Sequence, residues 1–375
     1  MKDLLSLVIP TFQRPSYLKR KLFHLNLQSC NFKILILDTS TGLFLNHNKK
    51  TIKSYSSKLD INYYAISPNQ FNFPKKIYHA LTLVKTKYAI LTFDDDYVNI
   101  LTLQNCVSFL ENNTEFVAAN GIVLNHILAK KKNFRVPILG KYDVHANKNN
   151  YERCIEYFHS RRKRNQLFHV WRTPTLKKLF KPFNKSEWKK YTEILFNLSA
   201  INSGRIYFVN KIFEIRNVDY NKDKYQKNSI PMFREHFYKD FFDKNFYLTV
   251  KNFYKMMLEI FPNSSQYEKE KYFRDTFYLY LNMRLMYSSE KKMKYLFEEK
   301  QNHIERIRKY ISLIKLKSLR NFINNLDFYS LNHLITMLNY DPGLDYTHAC
   351  LSNKNSPNNK FYNTVVTSFK KIKCD

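Results

Sequence analysis

Acidic residues, cysteine, glycine and long apolar runs are all scarce in this sequence, and each scarcity narrows the reading. No stretch approaches the ~20 consecutive apolar residues that carry a helix across a bilayer. Residues 1–10 have neither the long apolar region nor the small-residue cleavage site of a signal peptide, so a cytoplasmic protein, or one peripheral at the inner membrane face, is expected. The five cysteines, Cys30, Cys106, Cys154, Cys350 and Cys374, are scattered and odd in number, with no zinc-type spacing, which favours reduced thiols over bridges. Glycine occurs only 5 times while Lys, Asn, Ile, Tyr and Phe abound, a bias that fits an AT-rich coding sequence and strips individual surface Lys and Asn of weight. Asp and Glu number 31 against 62 Lys and Arg, and a formal charge of +31 calls for an anionic partner or surface: nucleic acid, anionic lipid or a nucleotide substrate. The apolar share of 44%, with 16% aromatic residues, excludes a disordered chain, and 375 residues suffice for one large domain or two ordinary ones.

One stretch organises the rest. Residues 88–93, Tyr-Ala-Ile-Leu-Thr-Phe, are apolar except for Thr92 and read as a strand buried on both faces, ending in Asp94, Asp95 and Asp96. Ligands of open α/β sheets bind at the carboxyl ends of the strands, and neighbouring carboxylates repel unless a cation or a hydrogen-bond donor neutralises them. A Mg²⁺ or Mn²⁺ site carrying a phosphorylated substrate is one reading; a solvated acidic turn is the other.

The flanking chain supports the first. Leu4 to Ile9 forms an apolar run closed by Pro10-Thr11-Phe12-Gln13-Arg14-Pro15; Leu18, Leu22, Leu25 and Leu27 follow at helical spacing, and Phe32 to Leu37 makes a second strand ending at Asp38. Residues 63–66 read as a third strand, and Phe73-Pro74-Lys75-Lys76 opens a helix with Ile77, Ala80, Leu81 and Val84 facing inward. Alternating strands and helices predict a mainly parallel sheet, with Thr11 and Arg14, Asp38, and the Asp triplet at three carboxyl ends on one edge. That set describes a nucleotide pocket: a cation for phosphate, a carboxylate for base or ribose, and a metal for the diphosphate.

Val8-Ile9-Pro10-Thr11-Phe12-Gln13-Arg14, a strand ending in Asp38, then Phe93-Asp94-Asp95-Asp96 together resemble the nucleotide-sugar-binding half of the family-two glycosyltransferases of GT-A fold. The resemblance covers residues 1 to about 220. It implies a nucleotide-sugar donor held by Pro10, Thr11, Arg14, Asp38, Lys76, Asp94 and Asp95, a Mn²⁺ or Mg²⁺ ion on Asp94 and Asp96, and a glycan or lipid-linked acceptor. It also implies a catalytic base at the start of a later helix, about eleven residues before a glycine. Glu193 stands eleven residues before Gly204, although the family's Glu-Asp pair is here Thr192-Glu193, and Glu187 remains a rival. A glutamate early in a helix also suits the helix dipole, so its place alone assigns no chemistry. The expected architecture is therefore α/β, a GT-A-type mainly parallel sheet flanked by helices over residues 1–220, followed by a basic, mainly helical region over 221–375.

Residues 116–124, 168–172, 206–209 and 212–216 read as further strand segments, and the helix carrying Leu195, Leu198 and Ile201 stops near Gly204. Lys130 to Lys132 reads as a solvated charge run, while Arg161 to Arg164 is placed to reach a phosphate or an acidic acceptor. Ile304, Ile307, Ile311 and Ile314, flanked by Arg306, Arg308, Lys309 and Lys315, form a basic amphipathic pattern that suits either an anionic membrane or packing on its own domain. The leading function is thus a metal-dependent, inverting glycosyltransferase of surface glycan or glycolipid synthesis. The alternatives are a nucleotidyl- or phosphoryl-transfer enzyme and a nonenzymatic nucleic-acid binder; no nucleic-acid module is recognisable, which disfavours the last.

Overall fold

The computed structural model describes residues 3–68, 73–128, 134–135, 138–139, 146–149, 152–153, 166–181, 192–218, 265 and 357–372. By contact the chain forms two units, Met1–Arg274 with Cys350–Asp375, and Asp275–Ala349; every described residue belongs to the first. The basic pattern at 304–326 and the charge runs at 130–132 and 161–164 lie outside the described residues.

The amino-terminal half alternates strand and helix as expected: β1 (Leu5–Thr11), α1 (Pro15–Leu27), β2 (Lys33–Asp38), α2 (Gly42–Tyr55), β3 (Ile61–Ala65), α3 (Phe73–Leu83) and β4 (Tyr88–Leu91). All seven residues of β1 and all four of β4 are buried, as a strand covered on both faces requires. Proline at its first position starts α1, where the missing N–H costs nothing. Leu18, Leu22 and Leu25 of that helix are buried and Leu27, at its end, is exposed. The inward-facing residues read for α3, Ile77, Ala80, Leu81 and Val84, are all buried.

Beyond β4 the chain turns, with Asp96 N–H donating to the Phe93 carbonyl at 3.3 Å, and runs through β5 (Asp96–Val98), α4 (Ile100–Asn112), β6 (Phe116–Leu128), β7 (Phe134–Arg135), β8 (Ile138–Leu139), β9 (Val170–Arg172), α5 (Thr173–Phe180), α6 (Thr192–Ser203), β10 (Arg205–Val218) and α7 (Pro357–Lys371). The sheet order is β3-β2-β1-β4-β9-β6-β10-β5, with β7 and β8 on β6. Pairs β1–β2, β1–β4, β2–β3 and β6–β10 are parallel, so the carboxyl ends of β1, β2 and β4 lie on one edge; β9 and β5 run antiparallel to their partners. The expectation of a mainly parallel, helix-flanked sheet is met.

Two differences from the sequence reading have physical causes. The Asp triplet does not simply end a strand: its last member opens β5, because the turn at Phe93 sends the chain back to pair with β10. The two apolar runs at 206–209 and 212–216 are one strand, β10, bulged between Val209 and Ile212. The bulge presses on β6 at Gly121, where a Cβ would meet the Lys211 carbonyl oxygen at 2.6 Å. Helix α6 ends at Gly204, whose Cβ would sit 2.5 Å from Val117 Cγ1.

One core joins β1, β2 and β4 to α1 and α4. A second joins Tyr97, Ile122, Leu124, Ile212 and Ile215 to Phe361, Val365 and Phe369 of α7, so this helix covers the β5, β6 and β10 part of the sheet. Cys30 and Cys106 are buried free thiols. Among the described residues no helix is long and apolar enough to cross a membrane.

Candidate active site

The carboxyl edge of β1, β2 and β4 gathers most of the residues singled out from the sequence. Pro10 is buried within β1, opposite Leu37. Thr11 ends the strand and donates its hydroxyl to Asp94 Oδ2 at 2.7 Å. The following Gln13 takes a left-handed conformation (φ 53°), which turns its N–H onto Ser40 Oγ at 2.7 Å and ties the first loop to the second. Arg14 then reaches across, Nη1 standing 3.0 Å from Asp94 Oδ1 and 3.1 Å from Asp95 Oδ2, with the guanidinium 4.6 Å above the Tyr17 ring. Lys76, 5% exposed, crosses from α3 to donate to the Thr11 carbonyl at 2.6 Å and Thr39 Oγ1 at 2.9 Å.

Asp38 sits differently. Its carboxylate is fully buried and accepts from Ser40 N–H at 2.7 Å, Asn48 Nδ2 at 2.8 Å and the Tyr63 hydroxyl at 2.7 Å. Three donors hold it as an anchor for the loop leaving β2. Burial, reinforced by the hydrogen bond to Asp38, raises the Tyr63 phenol far above its ordinary range.

Burial sets the electrostatics of the triplet. It pushes the Asp94 carboxyl up to about 6, with Asp95 adding repulsion against the pull of Arg14, the Thr11 hydroxyl and Lys76. Asp96 lies well above the carboxylate range, first through burial and then through Glu214 and Asp95, while Arg216 and Lys21 oppose the shift. Burial lowers Lys76 to about 8 against the attraction of Asp38 and Asp94. For Arg14, burial is the largest influence and acts downward, but Asp94 and Asp95 together outweigh it and raise the guanidinium.

Asp96 thus belongs with a second group of charges. It stands opposite Arg216 in the β5–β10 register, and Arg216 Nε lies 3.3 Å from Glu214 Oε2. Glu214 is completely buried, and among the described residues its Oε1 has no hydrogen-bond partner. Lys21, also completely buried, donates to Thr92 Oγ1 and to the Asp96 carbonyl. Its ammonium is lowered to about 8 by burial, against the attraction of Asp96 and Glu214. Aromatic rings flank the triplet: Phe93 packs edge-on against Phe73 at 5.7 Å and Phe168 at 4.9 Å, and the Arg216 guanidinium lies 4.2 Å over Phe168.

Sequence reasoning missed Lys21, Asn48, Tyr63 and Glu214. The signal for Lys21 was there, since Leu18, Lys21 and Leu25 share one helical face and a lysine on an apolar stripe needs a buried partner. Glu193 lies in the first turn of α6, but its side chain, like all of Glu187, is outside the described residues.

Among the described residues no three His, Cys, Asp or Glu side chains converge to hold a metal. The donor set therefore does not make an all-protein cage. It does fit a Mg²⁺ or Mn²⁺ ion that takes one or two carboxylates and completes its shell with water and substrate phosphate. Asp96, raised first by burial and then by Glu214 and Asp95, is the carboxylate there that a cation would relieve most. Asp94 is already engaged through both oxygens, by Thr11 and Arg14.

No protein-family model matches the sequence, and no curated protein matches it significantly. Solved structures are similar at low identity. Residues 1–349 of S. aureus TarS in complex with UDP-GlcNAc align at 15% identity and a TM-score of 0.49, over 98% of this chain and 91% of that one. S. aureus TarS itself gives 17% identity and a TM-score of 0.47 over 73% of this chain, which spans 43% of the longer protein. The mannosyltransferase PcManGT from Pyrobaculum calidifontis, in complex with GDP-Man and Mn²⁺, is similar at 9% identity and a TM-score of 0.43 over 99% of this chain and 88% of that one.

Proposed function

We propose that the chain is a glycosyltransferase moving a sugar from a nucleotide-sugar to an acceptor hydroxyl with inversion. The observation that carries this reading is the network Thr11–Asp94–Arg14–Asp95, which joins the ends of two parallel strands into one charged cradle at the edge where α/β sheets bind nucleotides. Lys76 holds the floor of that cradle to the second loop through Thr39.

In this reading Thr11, Arg14, Lys76, Asp94 and Asp95 bind and orient the donor, and Pro10 and Asp38 fix the loops that present them. A divalent ion on Asp96, shared with Asp94 or Asp95, would offset charge growing on the leaving diphosphate. Arg14, held on Asp94 and Asp95, and Arg216, opposite Asp96 and held on Glu214, are fixed cations that would need no reorganisation as charge develops. Glu193 is assigned the proton of the attacking hydroxyl, a task worth about 10²- to 10⁴-fold when the base is positioned. The acceptor is a glycan or a lipid-linked hydroxyl, the setting surface glycan or glycolipid synthesis, and the place of work a membrane face.

Thermal-shift screening of the full chain against UDP-, GDP-, CDP- and ADP-sugars, with and without MnCl₂, tests this. One nucleotide class should raise the melting temperature and the ion should enlarge the effect. A chain that responds to none of them, yet binds nucleic acid in a steeply salt-dependent way, would overturn the reading.

A further inference from the structure

We infer that Lys21 is a positioning residue for the Asp triplet, clamping the turn that carries it from behind; this rests on reading that turn as the donor site. The clamp is visible in two contacts. The Lys21 ammonium donates to Thr92 Oγ1, on the residue that follows β4, and to the carbonyl of Asp96, the first residue of β5. Thr92 is itself fixed to β1 by its N–H, 3.0 Å from the Val8 carbonyl. Phe93, Asp94 and Asp95 are therefore strung between two points held by one cation. Among the described residues one backbone bond crosses the turn, Asp96 N–H to the Phe93 carbonyl at 3.3 Å; the arc's other ties, Asp94 to Thr11 and Arg14 and Asp95 to Arg14, are made through its side chains.

The chemistry of the position argues against simple packing. Lys21 is completely buried on the apolar face of α1, between Leu18, Leu22 and Leu25. An interior ammonium costs several kcal/mol in lost hydration, and an apolar side chain of similar length avoids that cost. What the ammonium supplies and an apolar chain cannot is a pair of donors reaching both ends of the turn. The competing account is that Lys21 only balances the buried charge of Asp96 and Glu214. The two accounts separate cleanly, because charge balance can be restored without restoring the donors.

The test compares the wild-type chain with Lys21→Met, the double variant Lys21→Met/Glu214→Gln, and Thr92→Val. The double variant removes one positive and one negative charge together, leaving Asp96 with Arg216. Melting temperature reports folding, and calorimetric titration with UDP, GDP, CDP and ADP in MnCl₂ reports the site. The expected result is that the double variant regains most of the stability lost by Lys21→Met while its affinity for the best diphosphate stays about 10- to 100-fold weaker, the scale seen when groups orienting a ligand set are removed. Thr92→Val, which keeps every charge and loses one anchor, should weaken binding by a smaller factor with little change in melting. A double variant that binds like the wild type overturns the positioning role and leaves charge balance. If the double variant does not fold, Thr92→Val decides: unchanged affinity overturns the inference. A wild-type chain that binds no diphosphate fails the donor-site reading, and the inference falls with it.

Discussion

Asp38 and Asp96 are buried aspartates of the same sheet, yet their surroundings give them opposite energetics. Asp38 accepts three hydrogen bonds, whereas Asp96 faces Glu214 with its charge only partly met by Arg216 and Lys21. Asp38→Ala would remove the acceptor of the Ser40 N–H and the Tyr63 hydroxyl and leave Asn48 Nδ2 with its 3.2 Å bond to Ser40 Oγ, and should cost about 3 kcal/mol, at the level of a broken buried network. Asp96→Asn removes a repelled charge and should leave the ligand-free chain as stable or more so while abolishing donor turnover. Urea midpoints of the two variants should move in opposite directions or, at the least, only the first should fall. The sequence disclosed that both residues stand at strand ends; it could not disclose which was satisfied, because Asn48 and Tyr63 come from other elements. Glu193 brings a kinetic prediction at the same scale. Glu193→Gln keeps size and polarity but loses the basic oxygen, so donor affinity should hold while turnover falls by about 10²-fold or more, and Glu187→Gln should do much less. A dead Glu187→Gln with an active Glu193→Gln would move the base to residue 187.

At the scale of elements, periodicity disclosed β1, β2, β4, α1 and α3 because each buries a continuous or regularly spaced apolar set. It disclosed nothing of α2, in which Asn48 alone is fully buried, Leu43 and Phe44 stand exposed, and Ile52 and Tyr55 pack partly buried against the core. Nor could it show that α7, which begins only at Pro357, packs on β5 and α1. That contact rests on Phe369 under the Arg20 guanidinium at 4.0 Å and on His24, which meets the rings of Tyr97 at 5.0 Å and Phe361 at 5.8 Å. A neutral His24 is satisfied on both sides: Nε2 accepts from Gln28 Nε2 at 2.7 Å, and Nδ1–H donates to Thr364 Oγ1 at 3.4 Å. Phe369→Ala should therefore cost about 3 kcal/mol by denaturant midpoint, the low end for an emptied phenylalanine site. Burial, and then the neighbouring Lys21, depress His24 from 6.5 to about 3. The unfolded chain then binds a proton near pH 6.5 that the folded chain refuses until about pH 3. His24's contribution is therefore complete above pH 6.5 and drains away as pH falls toward 3. Asp94 and Asp96, raised on folding, act in the opposite sense, so the comparison must be with a non-titrating variant. Between pH 6.5 and 4 the wild type should lose stability faster than His24→Gln; parallel curves would show that His24 is protonated in the fold.

Taken as a whole, the sequence is strongly cationic. The formal charge is +31, with a sequence pI near 9.7, and among the described residues the buried acids Asp38, Asp94, Asp96 and Glu214 stand against the buried cations Arg20, Lys21, Lys76 and Arg153, so burial leaves the excess in place. Lysines such as Lys49, Lys50 and Lys58 stand exposed. Such a particle is drawn to any anionic sheet, and the attraction reaches only about 10 Å at 0.1 M salt and about 3 Å at 1 M. We predict that the chain sediments with vesicles containing phosphatidylglycerol at low salt, is released as salt rises, and ignores phosphatidylcholine vesicles throughout. That behaviour would bring the protein to a membrane face, where a lipid-linked acceptor is concentrated. The basic pattern at residues 304–320 invites a second arm, in which Arg306, Arg308, Lys309 and Lys315 are changed to Gln together. If that variant loses vesicle binding at unchanged melting temperature, the attraction is local to this segment. If binding survives, it belongs to the general surface charge. Equal sedimentation with neutral and anionic vesicles at low salt would remove the membrane from the account and leave soluble polyanionic glycans as the partner to which the charge responds.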